Sequence, residues 1–169
     1  MIRAPQINTV INNFTPRFIT SGVPLTDFQE ATDGLIDWED WLPRWVKRGE
    51  IHEEMGLNAM AKGNTLSAAE HLTTASLLFH FAKFMAVQFP KEMKATPARA
   101  VKCHTQAMPY MKPPGERQAI PFEGNQLYAN LRRPENIDKP PVVILLPGLE
   151  ATKEEIYGYG IIQIIQKNI

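Results

Sequence analysis

The chain has 169 residues, 44% hydrophobic and 21% charged, a globular composition sized for one ordinary domain or two small ones. Eighteen basic residues balance eighteen acidic ones, giving a formal net charge of +0. That balance removes the electrostatic case for nucleic acid or an anionic membrane as partner.

The single cysteine, Cys103, leaves no intrachain disulfide to form, which fits a reducing, cytoplasmic compartment. The first eight residues lack the apolar run of a signal peptide. The longest apolar stretch, 75–85, is broken by His80 and Lys83, too short to span a bilayer. Fourteen prolines crowd toward the second half, so the chain changes character near residue 109.

The first half reads as helices. Thr26 and Gln29 make a capping-box pair for a short helix at 26–34. Asp37 is positioned to cap a longer one. Trp38, Trp41, Leu42, Trp45 and Val46 form its apolar stripe, and Pro43 falls in its first turns. It should stop near Lys62, at Gly63-Asn64. Ser67 with Glu70 predicts the cap of a second long helix, with Ala68, Leu72, Ala75 and Ala82 continuing the pattern to Phe89. A third helix fills 91–108, interrupted at Pro97. Ala59, Ala61, Gly63, Ala68, Ala69 and Ala75 make one corner of small residues where two helices pack closely. With one such pair visible, a repeat array is not expected.

The second half reads as strands. Segments 118–122 and 127–131 are joined by Glu123-Gly124-Asn125-Gln126 as a hairpin. After a polar connection, 142–146 is an unbroken apolar run, predicted as a strand covered on both faces. Pro147-Gly148 ends it, and a polar loop follows. The domain boundary is expected at 112, with a helical part at 1–112 and a sheet-forming part at 113–169.

The order of helical region, hairpin, then Val-Val-Ile-Leu-Leu-Pro-Gly-Leu-Glu-Ala-Thr-Lys-Glu-Glu resembles the α/β-hydrolases that carry an N-terminal helical cap. These include ketonic C–C bond hydrolases, esterase-like FrsA proteins and fungal hydrolases that shorten pigment polyketides. The resemblance runs from Leu35 to Glu155, and the Gly-Leu-Glu-x-Thr-Lys-Glu-Glu string is its specific part. It implies an α/β fold, a helical cap followed by the first strands of the hydrolase sheet. It implies a serine-type hydrolase acting on a small-molecule ester or diketone, without a cofactor. On the matching positions, Gly148, Leu149 and Glu150 would supply oxyanion-hole backbone N–H. Glu150 would be an auxiliary acid beside the nucleophile, able to orient or protonate substrate where apolar surroundings raise its pKa.

The family's nucleophile sits on a G-x-S-x-G elbow, followed by an acid and then a histidine, all after the oxyanion strand. The sequence has no such elbow. Its serines are Ser21, Ser67 and Ser76, and its last histidine is His104. The tail at 156–169, rich in isoleucine and glutamine, departs from the family pattern. It is read as a truncated or frame-shifted end, with a helix at 157–167 as the alternative. The expectation is therefore the N-terminal part of such a hydrolase, inactive alone, with 161–165 its most aggregation-prone window. The second reading is a non-catalytic helical interaction module that forms a homodimer through its Trp-rich helix and Ala-rich corner.

Other motifs have plainer readings. His52-Glu53-Glu54-Met55-Gly56 lacks the second histidine of a zinc motif and reads as an exposed helix face. His71 and His80 lie on opposite faces of one helix, so no metal is expected between them. Cys103 reads as a buried thiol. Trp41, Trp45, Phe81 and Phe84 are packing residues or, in the alternative, the walls of a substrate pocket. Lys153-Glu154-Glu155 reads as a charged helix start.

Overall fold

A computed structural model describes residues 5–85, 90–134, 137–148 and 151–156. The described residues begin with a helix the sequence did not announce, α1 (Pro5–Thr20). Its Ile7, Ile11, Phe14 and Phe18 fall at helical spacing on one face that packs into the core. Asn8, Asn12, Asn13 and Pro16 disguise it, because asparagine and proline are poor helix formers. Tertiary burial of that stripe overrides the weak propensity.

Helix α2 (Leu25–Thr32) starts after Pro24, which is extended at φ −59°, ψ 138°. Thr26 therefore lies inside the first turn, and the predicted capping box does not form. The chain then enters a 3₁₀ turn at Trp38–Asp40 and the long helix α3 (Trp41–Ala61). Asp37 stands before the turn but makes no side-chain capping bond.

The end of α3 is as expected. Gly63 takes φ +77°, where a Cβ would be strained. Asn64 N–H donates to Ala59 O (2.9 Å) and Gly63 N–H to Met60 O (3.0 Å), the paired bonds of a Schellman motif. Helix α4 (Thr65–Ala82) begins at once with Asn64 as its N-cap, so Ser67 is not the cap. A 3₁₀ turn, Lys83–Met85, follows, and the predicted continuation through 86–89 lies outside the described residues. Helix α5 (Pro90–Ala107) runs through Pro97 without the expected interruption. Met93, whose carbonyl Pro97 cannot serve, is on the exposed side, where water can take the bond.

Helix α4 is buried nearly all round from Ala75 to Ala82, because it lies between α3 and α5. On one side Phe18, Trp41, Trp45, Leu78 and Phe81 form an aromatic core with α1, α2 and α3. On the other, Leu72, Ala75, Phe79, Cys103 and Met108 pack α4 against α5. The α3–α4 approach is closest at two glycines. A Cβ on Gly49 would stand 2.6 Å from the Phe79 ring, and one on Gly56 would stand 2.7 Å from Leu72 Cγ.

The hairpin forms as β1 (Gly115–Phe122) and β2 (Asn125–Arg132), antiparallel, with Phe122 opposite Asn125. Glu123 and Gly124 make a two-residue turn at φ 46° and 75°, the left-handed pair a type I′ turn requires. Asn125 and Gln126, read from sequence as turn, belong to β2.

The predicted buried strand at 142–146 is a correction. The structure assigns no strand there, and the run is exposed, from 37% at Leu145 to 84% at Val142 and Leu146. A doubly covered strand needs neighbours on both edges and a layer on each face. Among the described residues nothing supplies them, since the sheet holds only β1 and β2. No helix among the described residues is long and apolar enough to cross a membrane.

Candidate functional site

The loop after Gly148 ends in a short helix, α6 (Lys153–Ile156), whose Glu154, Glu155 and Ile156 are buried. Thr152 O accepts from Glu155 N–H (3.1 Å) and Ile156 N–H (3.2 Å), which forms the turn. Two adjacent carboxylates thus point into protein rather than water. A buried carboxylate is costly unless its oxygens are filled by donors, and here they are.

Glu155 has no exposed surface. Ser21 Oγ donates to its Oε1 (3.0 Å), and His80 Nε2 donates to its Oε2 (2.9 Å). Arg17 Nη2 stands 3.5 Å from Oε1. Those partners come from α1, the turn after it, and α4. Thr152 Oγ1 lies 3.5 Å from His80 Nδ1, so both ends of this imidazole face the loop.

Glu154 turns the other way, toward the hairpin. Lys153 Nζ lies 3.0 Å and Arg117 Nη1 3.4 Å from its Oε1. Burial raises this carboxyl, but the hydrogen bond and charge of Lys153, together with a backbone hydrogen bond and the His104 charge, hold it below the usual range. Burial pushes the nearby His104 imidazole down to about 4 against the pull of Glu154. Burial likewise lowers Lys83, with Glu154 and Glu155 opposing. The loop is therefore clamped, one carboxylate in the helical layer and the other at the hairpin. Removing the partner of a buried charge costs about 3–5 kcal/mol, so the clamp is a strong constraint on where the loop lies.

The charged helix start read from Lys153-Glu154-Glu155 is thus correct in secondary structure and incomplete in role. Apart from Lys153, the residues that receive the two carboxylates are scattered from Arg17 to Arg117, which no local pattern could join. Of the predicted oxyanion residues, Gly148 is described and its O accepts from Ala151 N–H (3.2 Å). Leu149 and Glu150 lie outside the described residues.

The predicted pocket aromatics are placed in the core. Trp41, Trp45 and Phe81 have no exposed surface, and Phe84 is half-buried at the edge. Trp41 stacks on Trp45 at 5.2 Å, and Phe18 meets Phe81 edge to face at 4.3 Å. Trp41 Nε1 donates to Phe81 O (3.1 Å). This is the packing role, a solid aromatic block under the loop's anchor.

His52 and Glu53 are not on an exposed face, as the sequence suggested. Their side chains are 13% and 12% exposed. Glu53 pairs with Arg99 at 2.7 Å, and His52 meets Asp27 and His71. Cys103 is buried as expected, and burial, reinforced by Glu53, pushes its thiol up to about 12. The three serines have no hydrolytic setting. Ser21 bonds Glu155, Ser76 Oγ donates to Ala100 O (2.8 Å), and Ser67 sits in the first turn of α4.

No family model matches the sequence. The chain is 34% identical to the 2,6-dihydropseudooxynicotine hydrolase of Paenarthrobacter nicotinovorans over 143 residues, 83% of this chain and 38% of that protein. It is 29% identical to the hydrolyase poxO of Penicillium oxalicum over 127 residues, 72% of this chain and 30% of the relative. The crystal structure of the 2,6-dihydroxy-pseudo-oxynicotine hydrolase superposes with a TM-score of 0.74 at 33% identity, covering 84% of this chain and 40% of the other. The chain thus spans well under half the length of the relatives it matches. Agreement in sequence and in fold over most of this chain places it with the α/β-hydrolases that carry an N-terminal helical cap, as the counterpart of part of a protein like 2,6-dihydropseudooxynicotine hydrolase.

Proposed function

We propose that this chain is the N-terminal part of a serine-type α/β-hydrolase acting on an ester or a ketonic C–C bond, and that it does not turn over such substrates by itself. Its share of the reaction is one wall of the active site. Residues 148–150 present backbone N–H to a developing oxyanion, and Glu150 orients or protonates the substrate. The observation that carries this reading is the clamp on the following turn. Glu155, held by Ser21 and His80, fixes the end of the loop against the helical layer. An oxyanion donor stabilises a transition state best when it is held in place, and Glu155 offers an anchor five residues beyond Glu150.

The residues at hand support the inactivity in this reading. A covalent acyl step needs a nucleophile activated by a base, and no described serine has a histidine as its hydrogen-bond partner. Incubation with p-nitrophenyl acetate should give no turnover sensitive to a serine-directed inhibitor. Inhibitor-sensitive turnover would defeat the claim. Joining residues 1–156 to the complementary portion of the Paenarthrobacter hydrolase should restore a working enzyme. A folded but inactive chimera would count against the loop's assigned role.

The alternative reading, a helical interaction module that dimerises, would have to use the Ala-rich corner at Ala59, Ala61 and Gly63 rather than Trp41 and Trp45, which are buried within one chain.

A further inference from the structure

Three helices bring together a constellation unrelated to the loop. Asp27 lies on α2, Arg48 and His52 on α3, and His71 on α4. His52 Nε2 is 3.2 Å from both carboxylate oxygens of Asp27. Arg48 holds that carboxylate with Nε at 2.9 Å and Nη2 at 2.6 Å from Oδ1. With Asp27 accepting from Nε2–H, the lone pair of His52 is on Nδ1. That Nδ1 stands 3.1 Å from Nδ1 of His71, with ring centroids 5.2 Å apart.

We propose that His52 and His71 form a two-imidazole site for a divalent transition-metal ion of the zinc, copper or nickel class. Imidazole nitrogens bind such ions at about 2.0–2.1 Å, so two of them on one ion stand about 2.9–3.4 Å apart for octahedral to tetrahedral angles. The observed spacing falls inside that range, and without an ion the two nitrogens share a proton instead. Asp27 supplies what a ligating histidine uses on its far nitrogen, a carboxylate that fixes tautomer and ring orientation. The backbone frame is stiff, because Gly56 lets α3 seat directly on Leu72, next to His71. Arg48 neutralises Asp27, so the site has little net negative charge, and the remaining coordination positions go to water. Affinity below that of a closed, four-ligand structural zinc site is the consequence.

The four histidines make the test clean, since His80 and His104 are buried and engaged elsewhere. Titration of the folded chain with Zn²⁺ near neutral pH should show one ion per chain. His71→Ala, at a half-buried position, should weaken binding at least about tenfold, and Asp27→Asn about 10–100-fold through the lost outer-shell bond. Cu²⁺ loaded on the wild-type chain should show two directly bound nitrogens by electron paramagnetic resonance. That readout does not depend on any variant folding. Binding weaker than about 1 mM, binding unchanged in His71→Ala, or a copper spectrum with a single bound nitrogen would each overturn the site.

Discussion

At the scale of single residues, burial decides how the ionisable groups behave. His104 is enclosed where α5, the hairpin and α6 meet, and its imidazole is held down to about 4, against 6.5 for the free side chain. Glu154 pulls it upward, while Arg132, Lys153 and Arg117 oppose protonation. Between these two values the unfolded chain binds a proton that the folded chain refuses. Stability therefore falls as pH drops through that window, by at most about 3 kcal/mol. His52, also lowered, adds a loss of the same sign. Glu154 contributes stability above its ordinary value of 4.5 and loses it at still lower pH, as its depressed folded value is reached. The melting temperature should thus decline from pH 6.5 toward pH 4.5, and His104→Gln should flatten the slope. A pH-independent melting temperature would contradict the burial argument.

At the scale of elements, the α3–α4 pair shows close packing outweighing helix propensity. In an open helix, replacing glycine by alanine stabilises by about 1 kcal/mol. At Gly49 the new methyl would meet the ring of Phe79, which has no exposed surface and no room to withdraw. At Gly56 it would meet Leu72, including its backbone N at 3.2 Å. Overpacking of this kind costs about 1–3 kcal/mol, which reverses the sign. Gly49→Ala and Gly56→Ala should each lower the denaturation midpoint. A raised midpoint would mean that the helices can spread. The corner was legible as a cluster of alanines and Gly63, because small residues and a Gly-Asn stop are local signals. Gly49 and Gly56 were not singled out, since nothing local says which helical glycine faces a partner. For the same reason the capping boxes at Thr26 and Ser67 misled. Each pattern was present, but Pro24 and Asn64 started the helices earlier.

At the scale of the whole molecule, the helical layer is well enclosed and the sheet-forming part is not. Ile120, Phe122, Leu127 and Tyr128 on the hairpin are about half exposed. Ile144 is 79% exposed within the apolar run at 142–146. A contiguous apolar strand-former open to water is a site for association. The chain should self-associate with rising concentration on size exclusion, and Ile144→Lys should reduce this without lowering its melting temperature. A monodisperse monomer at every concentration would refute the expectation. The more strongly predicted aggregation window, 161–165, lies outside the described residues.

The sequence by itself determined that helices precede a hairpin, the Gly63-Asn64 stop of α3, and the resemblance of the Gly-Leu-Glu-x-Thr-Lys-Glu-Glu string to cap-bearing hydrolases. All of these rest on residues within a few positions of one another, where spacing and turn chemistry act directly. Tertiary structure alone decided that α1 exists, that the pocket candidates Trp41, Trp45 and Phe81 are core, and that 142–146 is uncovered. It also brought Glu155 to Ser21 and His80, and His52 to His71. Burial and long-range pairing depend on what lies across the fold, and a linear pattern carries no record of which face meets which partner.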